Sequence, residues 1–177
     1  LAPFLKDTEH SPPQDFTYPY VALAVSGGHT SLYWVKDFSD YTIIGTTKDD
    51  AAGEAFDKFA KMLGLDYPGG VQVDKLAQTG DANKYQFPRS LTAEKSLMMS
   101  FSGLKSSAHR LLSGLTKDEL NTEKNHLCAS FQEAIVDVLI HKLIYAAQIY
   151  KTKKLVITGG VSANTRLRQR AQELVLK

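Results

Sequence analysis

Three glycine pairs stand beside polar residues: Ser26-Gly27-Gly28-His29-Thr30, Tyr67-Pro68-Gly69-Gly70 and Gly159-Gly160-Val161-Ser162-Ala163-Asn164. Consecutive glycines permit positive φ and leave the backbone uncovered. A tight hairpin at Gly27 and Gly28 would therefore aim N–H groups into one concavity, with Ser26, His29 and Thr30 adding polar side chains. That chemistry suits a phosphate. A plain Gly-Gly hairpin joining two strands explains the same residues, and glycine turns far outnumber phosphate sites. The other two pairs fall at loop positions where missing side chains let a flat or charged ligand approach the backbone.

A second group is acidic. At 100° per residue, Asp50, Glu54, Asp57 and Lys61 share one face of a helical pattern, while Phe56, Phe59, Ala60 and Leu63 take the opposite face. One of these carboxylates is suited to accept hydrogen bonds from ribose hydroxyls. A solvated face carrying an Asp57–Lys61 pair at i,i+4 is the competing account. Cys128 follows Leu127 on the apolar side of a helix and reads as an inert core thiol. His10, His29, His109, His126 and His141 include no i,i+3 or i,i+4 pair, so they offer no metal-binding spacing. Arg166, Arg168 and Arg170, with Lys153 and Lys154, read as a solvated face rather than a nucleic-acid contact.

These residues need elements to position them. "YVALAVS" (20–26), "SLYWVK" (31–36) and "YTIIGTT" (41–47) are rich in β-branched and aromatic residues and are separated by turns, which predicts a three-stranded meander. After Thr47 the period changes to that of an amphipathic helix over 51–63, with Gly64 as its C-cap. A short helix over 71–78, a loop around "YQFPRS", a helix over 101–115 and a long helix over 125–151 with one buried stripe follow. "KLVITGG" reads as a compact buried strand ending in a glycine turn, and a last helix begins after "VSAN". The order βββ, helices, β, helix is an α/β arrangement, in which ligands gather where strand ends meet helix starts.

The 177 residues are 43% hydrophobic with a formal charge of +2 and a pI near 8.6. That supports a core of ordinary size and is too weakly basic to imply nucleic-acid or membrane binding by itself. One cysteine forms no internal disulfide, and no stretch approaches the roughly 20 apolar residues of a membrane span. The expected location is a reducing, soluble compartment, the cytoplasm. Residues 1–19 carry Pro12, Pro13 and Pro19 and read as an irregular lead or linker from an upstream lobe of a longer parent; 20–177 read as one lobe, incomplete at its C-terminal end.

Taken together, "SGGHT", "DDAAGEAFDK", "LGLDYPGG", "SFSGLK" and "GGVSAN", in this order and along nearly the whole chain, resemble the bacterial-type tRNA threonylcarbamoyladenosine transferase family, formerly described as O-sialoglycoprotein endopeptidases. The resemblance implies an actin-like ATPase fold of ribonuclease-H-like lobes, of which this chain is mainly the second. It also implies that Ala24, Val25, Ser26, Gly27 and Gly28 cradle a phosphate or acyl phosphate, supported by His29, Thr30 and Glu54. Asp57, Gly70 and Asp74 would line the nucleoside pocket, which Asn164 would close from the other side. The implied ligand is an adenine nucleotide, threonylcarbamoyl adenylate, whose acyl group passes to the exocyclic amine of the adenine next to a tRNA anticodon with release of AMP. The implied metal, iron or zinc, is held in the family by an H-x-x-x-H pair and a later aspartate; neither pattern occurs here, so the expectation is a piece unable to catalyse alone. Implied partners are tRNA, a paralogous actin-like subunit and a small P-loop ATPase subunit. Two other readings remain: another actin-like enzyme, such as a kinase or carbamoyltransferase, and a nucleotide-binding or subunit-docking module without chemistry. No nucleophile triad or metalloprotease motif supports a protease.

Overall fold

The computed structural model describes residues 16–93 and 95–175, so most of the lead expected over 1–19 lies outside the described residues. The alternating segments pair as their turns dictate. Strands β1 (Tyr20–Val25), β2 (Thr30–Val35) and β3 (Tyr41–Thr46) form an antiparallel meander, with Leu23 opposite Leu32 and Val25 opposite Thr30. β4 (Leu155–Thr158) lies parallel to β1, giving the order β3-β2-β1-β4. β1 is central and covered on both faces; Val21, Leu23 and Val25 are fully buried and Tyr20 and Ala22 nearly so. The expectation of a buried strand at 155–158 is corrected: among the described residues β4 pairs with β1 alone, and as an edge it is half-exposed.

The described residues form five helices: α1 (Ala52–Met62), α2 (Gly69–Ala77), α3 (Ser102–Leu112) and α4 (Lys117–Ile149) between β3 and β4, and α5 (Thr165–Val175) after β4 and a 3-10 turn at Gly160–Ala163. α1 turns Phe56, Phe59 and Ala60 inward. Phe59 stacks on Phe131 of α4 with ring centroids 3.9 Å apart, and Phe87 meets Phe131 edge-on at 5.3 Å. This aromatic trio ties α1 to α4 and gains over burial alone. Gly64, at φ 67°, ends α1 as the C-cap position requires.

α4 departs from expectation at its start and in its exposure. It begins at Lys117 rather than near Asn125, because Thr116 and Glu119 form a capping box that starts the helix in a polar stretch. Residues 127–136 are all buried, so the predicted single stripe is corrected to a helix segment encased on every side by α2, α5 and β1. The burial extends to Lys142, whose ammonium donates to the carbonyls of Leu91 and Ser96 at 2.5 and 2.6 Å and so ties the 91–96 loop to α4.

Candidate functional site

The turn at 26–29 is held by its own side chain. Ser26 N–H donates to the His29 carbonyl at 2.8 Å, and His29 N–H donates to Ser26 Oγ at 3.1 Å. The Ser26 carbonyl is left to accept from Gly53 N–H at 3.2 Å, the second residue of α1. Thr30, nearly fully buried, accepts at its Oγ1 from Ala52 N–H at 2.9 Å. The start of α1 is thus fastened beneath the hairpin. Gly53 makes the approach possible, since a Cβ there would come within 2.7 Å of Gly27 Cα.

The expected reason for the Gly27–Gly28 pair is corrected. Neither residue has positive φ, and a Cβ on either would meet no atom within 4 Å. The protein's own packing does not require glycine there. Their N–H groups donate to no described residue, and Gly27 lines a cavity whose wall does not include Gly28.

That cavity, about 450 Å³, is lined by Gly27, Gly53, Phe56, Asp57, Tyr67, Pro68, Gly70, Val71, Asp74, Gly160, Val161, Ala163 and Asn164. Its volume lies in the range of small-ligand pockets. Three helices begin at its wall. α2 is capped from α1: Asp57 Oδ1 accepts from Gly69 N–H at 2.9 Å and Gly70 N–H at 3.3 Å. α5 is capped from α2, where Asp74 accepts from Thr165 N–H at 3.1 Å and from Thr165 Oγ1 at 2.8 Å. Asn164 adds a second cap, accepting from Leu167 N–H at 3.0 Å while its buried amide donates to Gln132 at 2.7 Å. Each start carries partial positive charge from its aligned peptide dipoles, offset at α2 and α5 by the two aspartates. Positive dipole ends with unpaired N–H groups beside them favour an anionic ligand.

The solvated-face account of the acidic stripe, with its Asp57–Lys61 pair, gives way to another arrangement. Asp57 pairs with no lysine; it caps α2 with Oδ1, and its Oδ2 accepts nothing from the described residues. The i,i+4 pair on this helix is Glu54–Lys58 at 2.9 Å, and Lys58 also lies 2.8 Å from Asp50. Asp50 Oδ2 is shut off from solvent with that ammonium as an ion-pair neighbour outside hydrogen-bond geometry. The Lys58 hydrogen bond holds the Glu54 carboxyl below the usual range.

Of the residues singled out from sequence, Gly27, Asp57, Gly70, Asp74 and Asn164 meet at the cavity. Ala24 and Val25 lie within β1, paired with Ser31 and Thr30, and act as its support. Ser26 closes the turn and Thr30 anchors α1, whereas exposed His29 and ion-paired Glu54 are not in the cavity wall. Cys128 is buried, and burial pushes its thiol up to about 12, as an inert core thiol requires. Arg166 and Arg170 are not simply solvated: they clamp Glu133 of α4, with Arg166 Nη2 2.9 Å from Oε1 and Arg170 Nη1 2.7 Å from the same oxygen. Burial pushes the Glu133 carboxyl up, but the two guanidinium groups outweigh it and hold it below the usual range.

Sequence reasoning missed Asp49. Its carboxylate accepts from Ser100 Oγ at 2.6 Å, Phe101 N–H at 2.8 Å and Ser102 Oγ at 2.8 Å, fixing the "SFSGLK" segment at the start of α3. Serines flanking a helix start were the available signal. Gly53 was also missed, although a glycine inside a helical pattern marks a close approach.

The model of the family described as "tRNA N6-adenosine threonylcarbamoyltransferase" matches residues 5–176. Relatives under that same description include one from Bdellovibrio bacteriovorus, 60% identical over 173 residues (98% of this chain, 50% of the relative), and one from Chloroherpeton thalassium, 49% identical (94% and 49%). The chain spans about half the length of the curated relatives it matches. Among solved structures, component A of the Acidaminococcus fermentans (R)-2-hydroxyglutaryl-CoA dehydratase superposes with a TM-score of 0.52 at 17% identity, covering 88% of this chain and 52% of that one. The activator of the Clostridium difficile 2-hydroxyisocaproyl-CoA dehydratase, solved with bound ADPNP, gives 0.52 at 12% identity (92% and 53%). These two likenesses establish the actin-like ATPase fold. With a family match across nearly its whole length, the chain belongs to the tRNA N6-adenosine threonylcarbamoyltransferase family.

Proposed function

We propose that this chain supplies the nucleotide-binding lobe of an acyltransferase that moves a threonylcarbamoyl group from threonylcarbamoyl adenylate to the exocyclic amine of an adenine in tRNA, releasing AMP. The observation that carries the proposal is the convergence of Gly27, Asp57, Gly70, Asp74 and Asn164, distant in sequence, on one cavity surrounded by helix starts. In the reaction the amine nitrogen attacks the carbamoyl carbon and loses a proton, the bond from that carbon to the phosphate oxygen breaks, and AMP leaves with both electrons. A mixed anhydride is already activated, so the protein's task is to hold the phosphate and the developing charge in place.

In this proposal the unpaired N–H of Gly27 holds the phosphate, helped by the α1 dipole. Asp57 Oδ2 accepts from a ribose hydroxyl while Oδ1 keeps α2 in position. Asp74 and Asn164 keep their capping duties and fix the opposite wall. Among the described residues no three His, Cys, Asp or Glu side chains converge on a point that would hold a metal, and no step is derived through one. Transfer RNA as acceptor, a paralogous actin-like subunit and a P-loop ATPase subunit as partners, and a cytoplasmic location are carried as parts of the same proposal. No helix of the described residues is long and apolar enough to cross a membrane.

Gly27→Val in the full-length protein tests the reading directly. The added side chain meets no protein atom at its Cβ, so the melting temperature should hold, whereas calorimetric affinity for AMP should fall at least about tenfold, some 1.4 kcal/mol. Unchanged affinity would leave the hairpin as a plain turn.

A further inference from the structure

The mouth of the cavity carries an aromatic side chain that the fold does not use. Tyr67 is 83% exposed, and it makes no hydrogen bond or ring contact with any described residue, yet it lines the cavity. Val71, in the first turn of α2, lines the same wall and is 62% exposed. A tyrosine can bury 150–250 Å² of surface, so leaving one at a cavity mouth forgoes a large gain unless something covers it. Among the described residues the other widely exposed aromatics, Phe38 and Tyr41, lie on or beside β3 and line no cavity described above.

The chemistry of the wall also has an order. A bare N–H stands at Gly27, a carboxylate oxygen without a partner among the described residues at Asp57, and apolar surface at Tyr67, Pro68 and Val71. A nucleoside monophosphate has the matching sequence of parts: an anionic group, a hydroxylated ring and a flat aromatic base.

We infer that Tyr67 is a specificity-determining residue, its ring stacking on a purine base while Val71 packs against the base edge. The inference rests on the proposed nucleotide-binding reading of the cavity and adds the position of the base and the side chain that reads it. Stacking on an aromatic side chain is tolerant of base identity but grows with the size of the π-face, so a purine gains more than a pyrimidine. Tyr67 touches the base and not the reacting atoms, so its effect belongs in binding of the nucleotide.

The test uses the full-length protein with AMP, CMP and ribose 5-phosphate as probes, in wild type, Tyr67→Ala, Tyr67→Phe and Phe38→Ala. Tyr67→Ala should weaken AMP about tenfold and narrow the preference for AMP over CMP, while ribose 5-phosphate binding stays within twofold. Tyr67→Phe keeps the ring and should restore AMP binding; Phe38→Ala should leave all three ligands unchanged. Because the Tyr67 side chain is exposed and unpartnered, the melting temperature of Tyr67→Ala should match wild type. Equal AMP affinity in Tyr67→Ala and wild type would overturn the inference while leaving the nucleotide site standing. An equal loss for ribose 5-phosphate would also overturn it, by showing that Tyr67 acts through loop shape. Wild-type protein that binds none of the probes would instead sink the nucleotide reading itself, and this inference with it.

Discussion

The cavity under the Gly27 hairpin and the groove between α4 and α5 invite opposite conclusions from size and from chemistry. The groove is the larger, about 1030 Å³ against about 450 Å³, and runs beside edge strand β4 along Leu143, Ile144, Leu155, Ile157, Leu167 and Leu174. Its walls are mainly the aliphatic side chains of α4, β4 and α5. The smaller cavity is walled by chain ends: a hairpin tip, three helix starts and a glycine loop. Element ends are where backbone N–H groups lack partners within their own element, so polar recognition concentrates there. Volume alone would choose the groove, whereas the nucleotide chemistry proposed above belongs to the smaller cavity.

The sharpest break in this comparison lies at Gly159, where β4 leaves the groove and the 3-10 turn enters the cavity wall. Its φ is 94°, and a Cβ would overlap the Val25 carbonyl oxygen of the central strand. Gly159→Ala should therefore cost about 3 kcal/mol or more in chemical denaturation, combining backbone strain with displacement of β1. A cost below about 1 kcal/mol would show that β1 and the loop yield easily.

A smaller effect separates the regions by function. Ile144→Ala in the groove wall should lower stability by about 1–2 kcal/mol, less than for a fully buried aliphatic, with AMP affinity within twofold of wild type. A tenfold loss of AMP binding would make the groove part of the site and collapse the distinction.

The smallest effect is one of pH and isolates the carboxylate-to-N–H pairing that the cavity uses twice. Partial burial pushes the Asp49 carboxyl up, but hydrogen bonds from Ser100, Phe101 and Ser102 outweigh it and hold it below the usual range. A carboxyl depressed on folding stabilises above its unfolded value, and that stability is lost as pH falls through the folded value. The melting-temperature advantage of wild type over Asp49→Asn should hold near neutrality and shrink as pH falls from about 5 to below the ordinary aspartate value of about 3.9. An advantage independent of pH would mean that the side-chain shape, not its charge, holds the start of α3.

Much of the frame was legible in local sequence. Period-2 segments over 20–47 became β1, β2 and β3, and the switch of period after Thr47 became α1, because alternation and 3.6-residue spacing each bury one face only in the matching backbone conformation. The glycine-pair motifs were equally legible as a set, and Gly27, Gly70 and Asn164, one from each, line the same cavity.

The direction of each polar side chain was decided by tertiary structure. Nothing local to Asp57 says that it caps a helix twelve residues later instead of pairing with Lys61, and nothing near Asp74 names Thr165, ninety-one positions on, as its donor. A helical stripe states which side faces the core, while the partner of a charged group depends on which element end the packing delivers to it. The same holds for the glycines. Sequence shows that Gly27, Gly28 and Gly159 lack side chains, but only the packed chain distinguishes open space at the first two from the strand backbone that crowds the third. The burial of α4 on all sides follows likewise from the elements assembled around it, a property that its own residues, read one turn at a time, do not contain.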